Sequence, residues 1–195
     1  MRKLKLQVQV SVDGFVCGPN GEMDWMIWDW DDALKNYTWE ITNAFDTIVL
    51  GRNLAKGFIP HWEGVAADPN NPENAAGKKF HETPKIVFSK TLKANDPAVA
   101  AWQNTVVNNG DLVTEINKLK QQPGIDIIAY GGAAFVSSLI KNNLIDEYHL
   151  FINPAAIGKG KAIFNNIENK LNLNLVKAQP FDCGIVVLLY TPAGK

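Results

Sequence analysis

The stretch IIAYGGAAFVSSLIKNNLIDEYHL, Ile127–Leu150, holds the pattern on which the fold turns. An apolar run ends at Tyr130, two glycines follow, residues Ala133 to Asn142 carry apolar side chains at helical spacing, and a second apolar run opens at Glu147. Strand, helix and strand in this order argue for parallel strands joined by a helical connection. The paired glycines, Gly131 and Gly132, are either a tight turn or a seat for a phosphate.

The same alternation extends outward. Leu4, Leu6, Val8, Val10 and Val12 alternate with polar residues, the period-two mark of a strand with one well-buried face. A loop with Gly14, Gly18, Pro19 and Gly21 leads to about Trp28, and Asp29 to Phe45 reads as a helix with Leu34, Tyr37, Ile41 and Phe45 on one face. Thr47 to Leu50 is a short strand ending at Gly51-Arg52, with a helical turn near Asn53 to Phe58. The run from Ile59 to Pro84 is rich in Pro, Asn and Gly and reads as a long excursion around a functional edge or as a surface insertion. Lys85–Phe88 and Asn104–Val107 are strands, Asp111 to Gln121 is a helix stopped by Pro123-Gly124, and Leu171–Ala178 with Gly184–Tyr190 forms a closing antiparallel pair. The sum is an α/β protein with a mostly parallel sheet covered on both faces.

A chain of 195 residues with 46% hydrophobic content reads as one domain over residues 1–195, large enough to bury about 70% of its unfolded surface. Nineteen basic residues against 20 acidic ones, with no basic stripe, argue against a nucleic-acid partner. The alternating N-terminus is neither a signal peptide nor a membrane span, so cytoplasmic residence is the default expectation. Cys17 and Cys183 lack metal or redox spacing, and His61, His81 and His149 are scattered, so no metal is expected. The sequon at Asn36-Tyr37-Thr38 lies inside a helical pattern and is read as chance.

In an open α/β sheet, ligands bind beyond the carboxyl ends of the strands. Three such ends share a character here: Gly51-Arg52, Ser89-Lys90-Thr91 and Gly131-Gly132. Glycines admit a ligand close to the backbone, and helix amides following them favour a negative group. Arg52 and Lys90 would add charge-assisted hydrogen bonds, and the Ser-Lys-Thr cluster suits the extra phosphate that separates NADP from NAD. The structural alternative makes each of these a turn glycine, a strand-end charge or a capping group. A dinucleotide-binding GxGxxG unit fits poorly, because the glycine pair is late and Asp146 and Glu147 begin the next strand; a Walker loop is absent. Gly158-Lys159-Gly160 reads as a loop glycine pair.

MDWMIWDWDD, Met23–Asp32, places Trp25, Trp28 and Trp30 among four aspartates. Flat apolar rings beside carboxylates suit a planar nitrogen heterocycle, and the open alternative is an amphipathic helix start whose acids favour its positive end. A carboxylate here would deliver a proton if burial raised its pKa.

SVDGF with GPNGEMDWM, TIVLGRN, KIVFSKTL, AYGGAAFVSSLIKNNLIDEYHLFINPAAIGKGKAIF and FDCGIVVLLYTP, in this order, resemble the dihydrofolate reductase-like family, in the branch named for the RibD C-terminal domain. The resemblance implies a three-layer α/β/α sandwich, NADPH as hydride donor and a homodimer. It implies that Gly51, Arg52, Ser89, Lys90, Thr91, Gly131, Gly132, Ala133 and Ala134 line the cofactor. The loop from Asp13 to Trp25 would close over nicotinamide and substrate, and Asp31 or Asp32 would be the proton donor. The family's named reaction is reduction of 5-amino-6-(5-phosphoribosylamino)uracil, and its cousins reduce dihydrofolate. Leu54 and Ala55 depart from the Thr-aromatic pair common after GR, and no deaminase zinc motif precedes the reductase pattern. The expected function is an NADPH-dependent reductase of a pterin-like or pyrimidine-like small molecule, at a CH–NH, C=N or sugar C=O bond. The alternative is a catalytically silent NADP(H)-binding or regulatory dimer.

Overall fold

A computed structural model describes residues 1–93 and 95–194. In chain order the elements are β1 (Leu4–Ser11), β2 (Phe15–Cys17), α1 (Asp32–Asn43), β3 (Phe45–Gly51), α2 (Arg52–Ala67), α3 (Asn74–Glu82), β4 (Lys85–Phe88) and α4 (Pro97–Ala100). They continue with β5 (Thr105–Asn108), α5 (Leu112–Gln121), β6 (Asp126–Tyr130), α6 (Ala133–Lys141), β7 (Glu147–Asn153), β8 (Lys161–Ala162), β9 (Leu173–Pro180) and β10 (Val186–Pro192). Eight strands form one sheet in the order β5-β4-β3-β6-β1-β7-β10-β9, while β2 and β8 make a separate ribbon. The strands from β5 to β7 pair in parallel; β10 runs antiparallel to both β7 and β9.

Three layers result. Leu4, Leu6 and Val8 of β1 face Ile116 and Leu119 of α5 and Val136 and Leu139 of α6. Ile48 and Leu50 of β3, Ile128 of β6 and Phe151 of β7 face Leu34, Tyr37 and Ile41 of α1, Ala55 and Ile59 of α2 and Phe80 of α3. The central strands are thus covered on both sides, which is why their apolar runs are nearly continuous.

Several boundaries differ from the sequence reading for local physical reasons. The first helix starts at Asp32, because the Asp31 carboxylate accepts the Leu34 amide at 2.8 Å and caps it there. Its last expected residue, Phe45, belongs to β3, where its ring stacks on Phe80. Val12 lies outside β1 and is 64% exposed. The largest correction is the supposed excursion from Ile59 to Pro84, which is helical over most of its length. Helix α2 runs through Pro60, which forgoes the bond to the Lys56 carbonyl on an exposed face. Phe58, Trp62 and Phe80 then lock α2 to α3, and Gly77 permits the approach, since a Cβ there would lie 2.7 Å from Val65 Cγ1. Lys85 ends α3 by donating to the carbonyls of Phe80, His81 and Thr83 at 2.9, 2.8 and 2.7 Å.

At the amino ends of the strands, Glu147 lies 2.7 Å from Lys3 Nζ and 3.7 Å from Lys5 Nζ, and its Oε2 is 3.6 Å from His149 Nε2. His149 first, and then the two lysines, hold the Glu147 carboxyl down at about 2 against an ordinary 4.5. A depressed folded pKa contributes stability that is complete above 4.5 and is lost as pH falls towards 2. Glu147→Gln is therefore expected to flatten the acid limb of the stability curve in that window. It should also cost about 1–2 kcal/mol at neutral pH, after allowance for solvent screening. Denaturant melts at stepped pH measure both, and parallel acid limbs for the two proteins would refute the assignment.

Candidate functional site

The three strand ends singled out in the sequence meet. Gly51 of β3 is in register with Phe88 of β4, Phe88 with Asn108 of β5, and Val49 with Ala129 of β6. Beyond those ends the Arg52 guanidinium donates to the Thr91 hydroxyl, joining the β3 and β4 exits. Lys90 Nζ donates to the carbonyls of Gly110 at 2.7 Å and Asn109 at 3.2 Å, joining the β4 and β5 exits. Ser89 Oγ accepts the amides of Leu92 and Thr91 at 2.9 and 3.2 Å, which shapes the turn instead of leaving the hydroxyl open.

Phe135, in the first turn of α6, fastens the arrangement. Its ring stacks on Phe88 with centroids 5.7 Å apart, and a Cβ on Gly51 would stand 2.5 Å from Phe135 Cβ. Gly51 is therefore required for packing between strand end and helix. Gly132 has φ +89, the left-handed region that favours glycine, and space is open beside Gly131. Helices α2 and α6 both start at a glycine with no side-chain cap, whereas α1 and α5 are capped by Asp31 and Asp111. Uncapped first-turn amides, the exposed Ala134, Arg52 and Lys90 together make an anion-receptive shelf. That donor set fits a phosphorylated cofactor.

The other expected residues have their own geometry. Asp13 follows β1 and accepts from Ser11 Oγ at 2.6 Å, from Gly158 N at 2.7 Å and from Ile157 N at 3.1 Å. The Ser11 hydroxyl and then these amides hold its carboxyl below the usual range, so Asp13 ties the loop to the turn at Gly158. The loop is partly a ribbon, since Phe15 and Cys17 pair with Ala162 and Lys161, and Gly160 gives the close approach to the Cys17 carbonyl. Trp25 is half-buried, with an indole nitrogen that has no partner among the described residues. Its neighbour Ile27 is pinned by Asn153 Oδ1 at 2.9 Å, and Trp30 stacks on Phe151 at 6.1 Å.

Asp31 has a different occupation from the expected one. Besides the Leu34 amide it accepts the Cys183 amide at 3.0 Å, and these two, Cys183 first, hold the carboxyl below its usual range. An ionised cap is a poor proton donor at neutral pH. Asp32 points away, its side chain 99% exposed.

Sequence reasoning missed Gln7, Gln9, His149 and Asn153. The signal was present: Lys5, Gln7, Gln9 and Ser11 alternate on β1, and a strand of a sheet covered by helices on both faces has no solvent face on which to place them. Among the described residues there is no group of His, Cys, Asp and Glu able to hold a metal, and no helix is long and apolar enough to cross a membrane.

A mostly parallel sheet between two helical layers, with an antiparallel strand near the C-terminus and an anion-receptive edge, defines a dihydrofolate reductase-like fold. The family model described as the RibD C-terminal domain matches residues 2–187, and the chain belongs to that family. Over 192 residues, 97% of this chain and 94% of the relative, it is 35% identical to the protein YyaP of Bacillus subtilis (strain 168). It is similar in structure to a Thermotoga maritima diaminohydroxyphosphoribosylaminopyrimidine deaminase/5-amino-6-(5-phosphoribosylamino)uracil reductase, with TM-score 0.68 and 17% identity over 98% of this chain and 57% of that one. It is also similar to dihydrofolate reductase from Enterococcus faecalis complexed with NADP(H), with TM-score 0.60 and 15% identity over 98% and 96% of the two chains. The family and its structural neighbours include reductases.

Proposed function

We propose that the protein is an NADPH-dependent reductase of a pterin-like or pyrimidine-like heterocycle, acting as a cytoplasmic homodimer. The observation that carries this reading is the shelf on which Arg52 bonds Thr91 across two strand exits beside two uncapped helix starts. Gly51, Arg52, Ser89 to Thr91 and Gly131 to Ala134 would hold the cofactor, whose nicotinamide supplies a hydride when bound. The chain's own contribution is to bind the phosphates, exclude water with the loop from Asp13 to Trp25, and orient a flat substrate beneath Trp25 and Trp30. Kinship with reductases supports the chemistry.

The capping of α1 by Asp31 favours a second reading, a catalytically silent NADP(H)-binding dimer, because it occupies one of the two carboxylates that the sequence offers as proton donor. Oxidation of NADPH in the presence of pterin and pyrimidine heterocycles separates the two, and no turnover with any of them would leave the silent reading. Asn caps a helix about as well as Asp, so Asp31→Asn is expected to stay folded and to retain turnover, as is the exposed Asp32→Asn. A loss of turnover in either, with NADPH binding intact, would restore that residue as the proton donor.

A further inference from the structure

The face of β1 turned towards α1 carries Lys5, Gln7, Gln9 and Ser11, and parallel pairing sets Glu147, His149, Phe151 and Asn153 of β7 beside them in register. On a central strand of a parallel sheet this face is normally filled by branched apolar residues. Polar side chains there are costly unless each has a partner.

Three of the four rows are satisfied from within the chain. Lys5 pairs with Asp126 at 2.9 Å and faces Glu147. Gln9 Oε1 accepts from Asn153 Nδ2 at 2.6 Å. Ser11 donates to Asp13 at 2.6 Å and accepts the Phe15 amide at 2.9 Å. The row of Gln7 and His149 is different. Gln7 is 8% exposed, and its Oε1 is buried without a hydrogen-bond partner among the described residues. His149 is 5% exposed; its Nδ1 lies 3.2 Å from the Tyr37 hydroxyl, and its Nε2 faces the Glu147 carboxylate at 3.6 Å, the contact that helps hold the Glu147 carboxyl down. Tyr37 is itself fixed, its ring packed edge-on against Phe151 and Phe181.

The orphaned Gln7 oxygen, beside a histidine already engaged by Tyr37 and Glu147, marks a place prepared for something the chain does not supply. Gln7 lies four residues inward from Ser11, about 13 Å from the carboxyl edge at the rise of a parallel strand. A cofactor ring seated at the edge and a flat substrate beyond it would bring the substrate's far end to this row. We propose that Gln7 is the residue that determines substrate specificity, its side-chain amide reading the –NH–C(=O)– edge of a neutral heterocycle, with His149 held beside it by Tyr37. The inference rests on the reductase reading above and deepens it.

The chemistry follows from the functional groups. A glutamine amide presents one donor and one acceptor side by side, and a ring amide edge presents the complementary pair in reverse order. A carboxylate in its place would repel the ring carbonyl, and an ammonium would repel the ring N–H. A site built to satisfy such a pair rejects analogues that lack it, because the buried groups are left unpaired.

The test is calorimetric binding to the full chain of lumazine, a fused pyrimidinedione, and of 1,3-dimethyllumazine, which keeps both carbonyls but has lost both N–H groups. The unmodified protein is expected to prefer lumazine by about tenfold or more, the worth of one well-made hydrogen bond. Gln7→Leu is expected to abolish most of that preference, whereas a preference due to methyl bulk alone would survive the substitution. Gln7→Glu, nearly the same size, is the second variant should Gln7→Leu not fold, and it is expected to weaken lumazine by about tenfold. A preference unchanged in the variants overturns the proposal, as does unmodified protein that binds the two rings equally or binds neither. NADPH binding is titrated separately. A chain that binds lumazine through Gln7 but no NADPH would sink the reductase reading and leave the ring recognition standing; NADPH binding with an unaltered ring preference would sink only the role of Gln7.

Discussion

Gly51→Val is expected to destabilise the protein and abolish detectable NADPH binding. Gly51 has φ -82 and ψ 153, an extended conformation open to any residue, so backbone strain plays no part. The cost is steric: the new Cβ would lie 2.5 Å from Phe135 Cβ and 3.0 Å from its Cγ. These atoms sit close to the α6 backbone and cannot swing away as the end of a long side chain would, so α6 must shift. Overpacking of this kind costs about 1–3 kcal/mol, or about 2–12 °C in melting temperature for a chain of this size. The same shift would pull the α6 amides away from the Arg52 side of the shelf, which is why binding should fail together with packing. Adding Phe135→Ala should recover part of the stability by removing the obstacle. A variant that melts like the parent and binds NADPH normally would show that β3 and α6 are not coupled in this way.

Arg52→Ala should leave the melting temperature within a degree or two and weaken NADPH binding about 10- to 100-fold. Arg52 is exposed, and its recorded side-chain bond is to the Thr91 hydroxyl, so the fold loses little with it. A well-formed hydrogen bond to a charged group contributes about 1.5–3 kcal/mol, and each 1.4 kcal/mol is tenfold in affinity. Lys90→Ala separates the two nucleotides. The ammonium has three donors, and two are engaged by the Gly110 and Asn109 carbonyls. The third has no hydrogen-bond partner among the described residues and would serve a phosphate at the β4 exit, so Lys90→Ala should weaken NADPH more than NADH. Equal weakening of both would mean that Lys90 acts only by holding the β5 turn, and unchanged NADPH affinity in Arg52→Ala would remove the shelf from cofactor binding.

The fold class was legible because its signals are local. Period-two and helical spacing, with glycine at strand exits, reveal the strand–helix–strand unit around Gly131-Gly132 without knowledge of the rest of the chain. The segment from Ile59 to Pro84 was misread for the converse reason. Its Pro, Asn and Gly content is a loop composition, and the helices form because Phe58, Trp62 and Phe80 bury one another once α2 and α3 are brought together.

The candidate site divides along the same line. Which residues stand at the strand exits follows from the sequence: Gly51-Arg52, Ser89-Lys90-Thr91 and Gly131-Gly132 are each adjacent to a recognisable run. That Asp31 caps a helix while receiving the Cys183 amide, 152 positions away, depends on the meeting of two distant segments. The polar face of β1 is the sharpest case. Its alternation states only that one side is hydrophilic, and the packing of α1 over that side of the sheet turns it inward. Local periodicity records which side chains share a face; only the completed sheet decides whether that face meets water or the interior, because neighbours far apart in the chain determine burial.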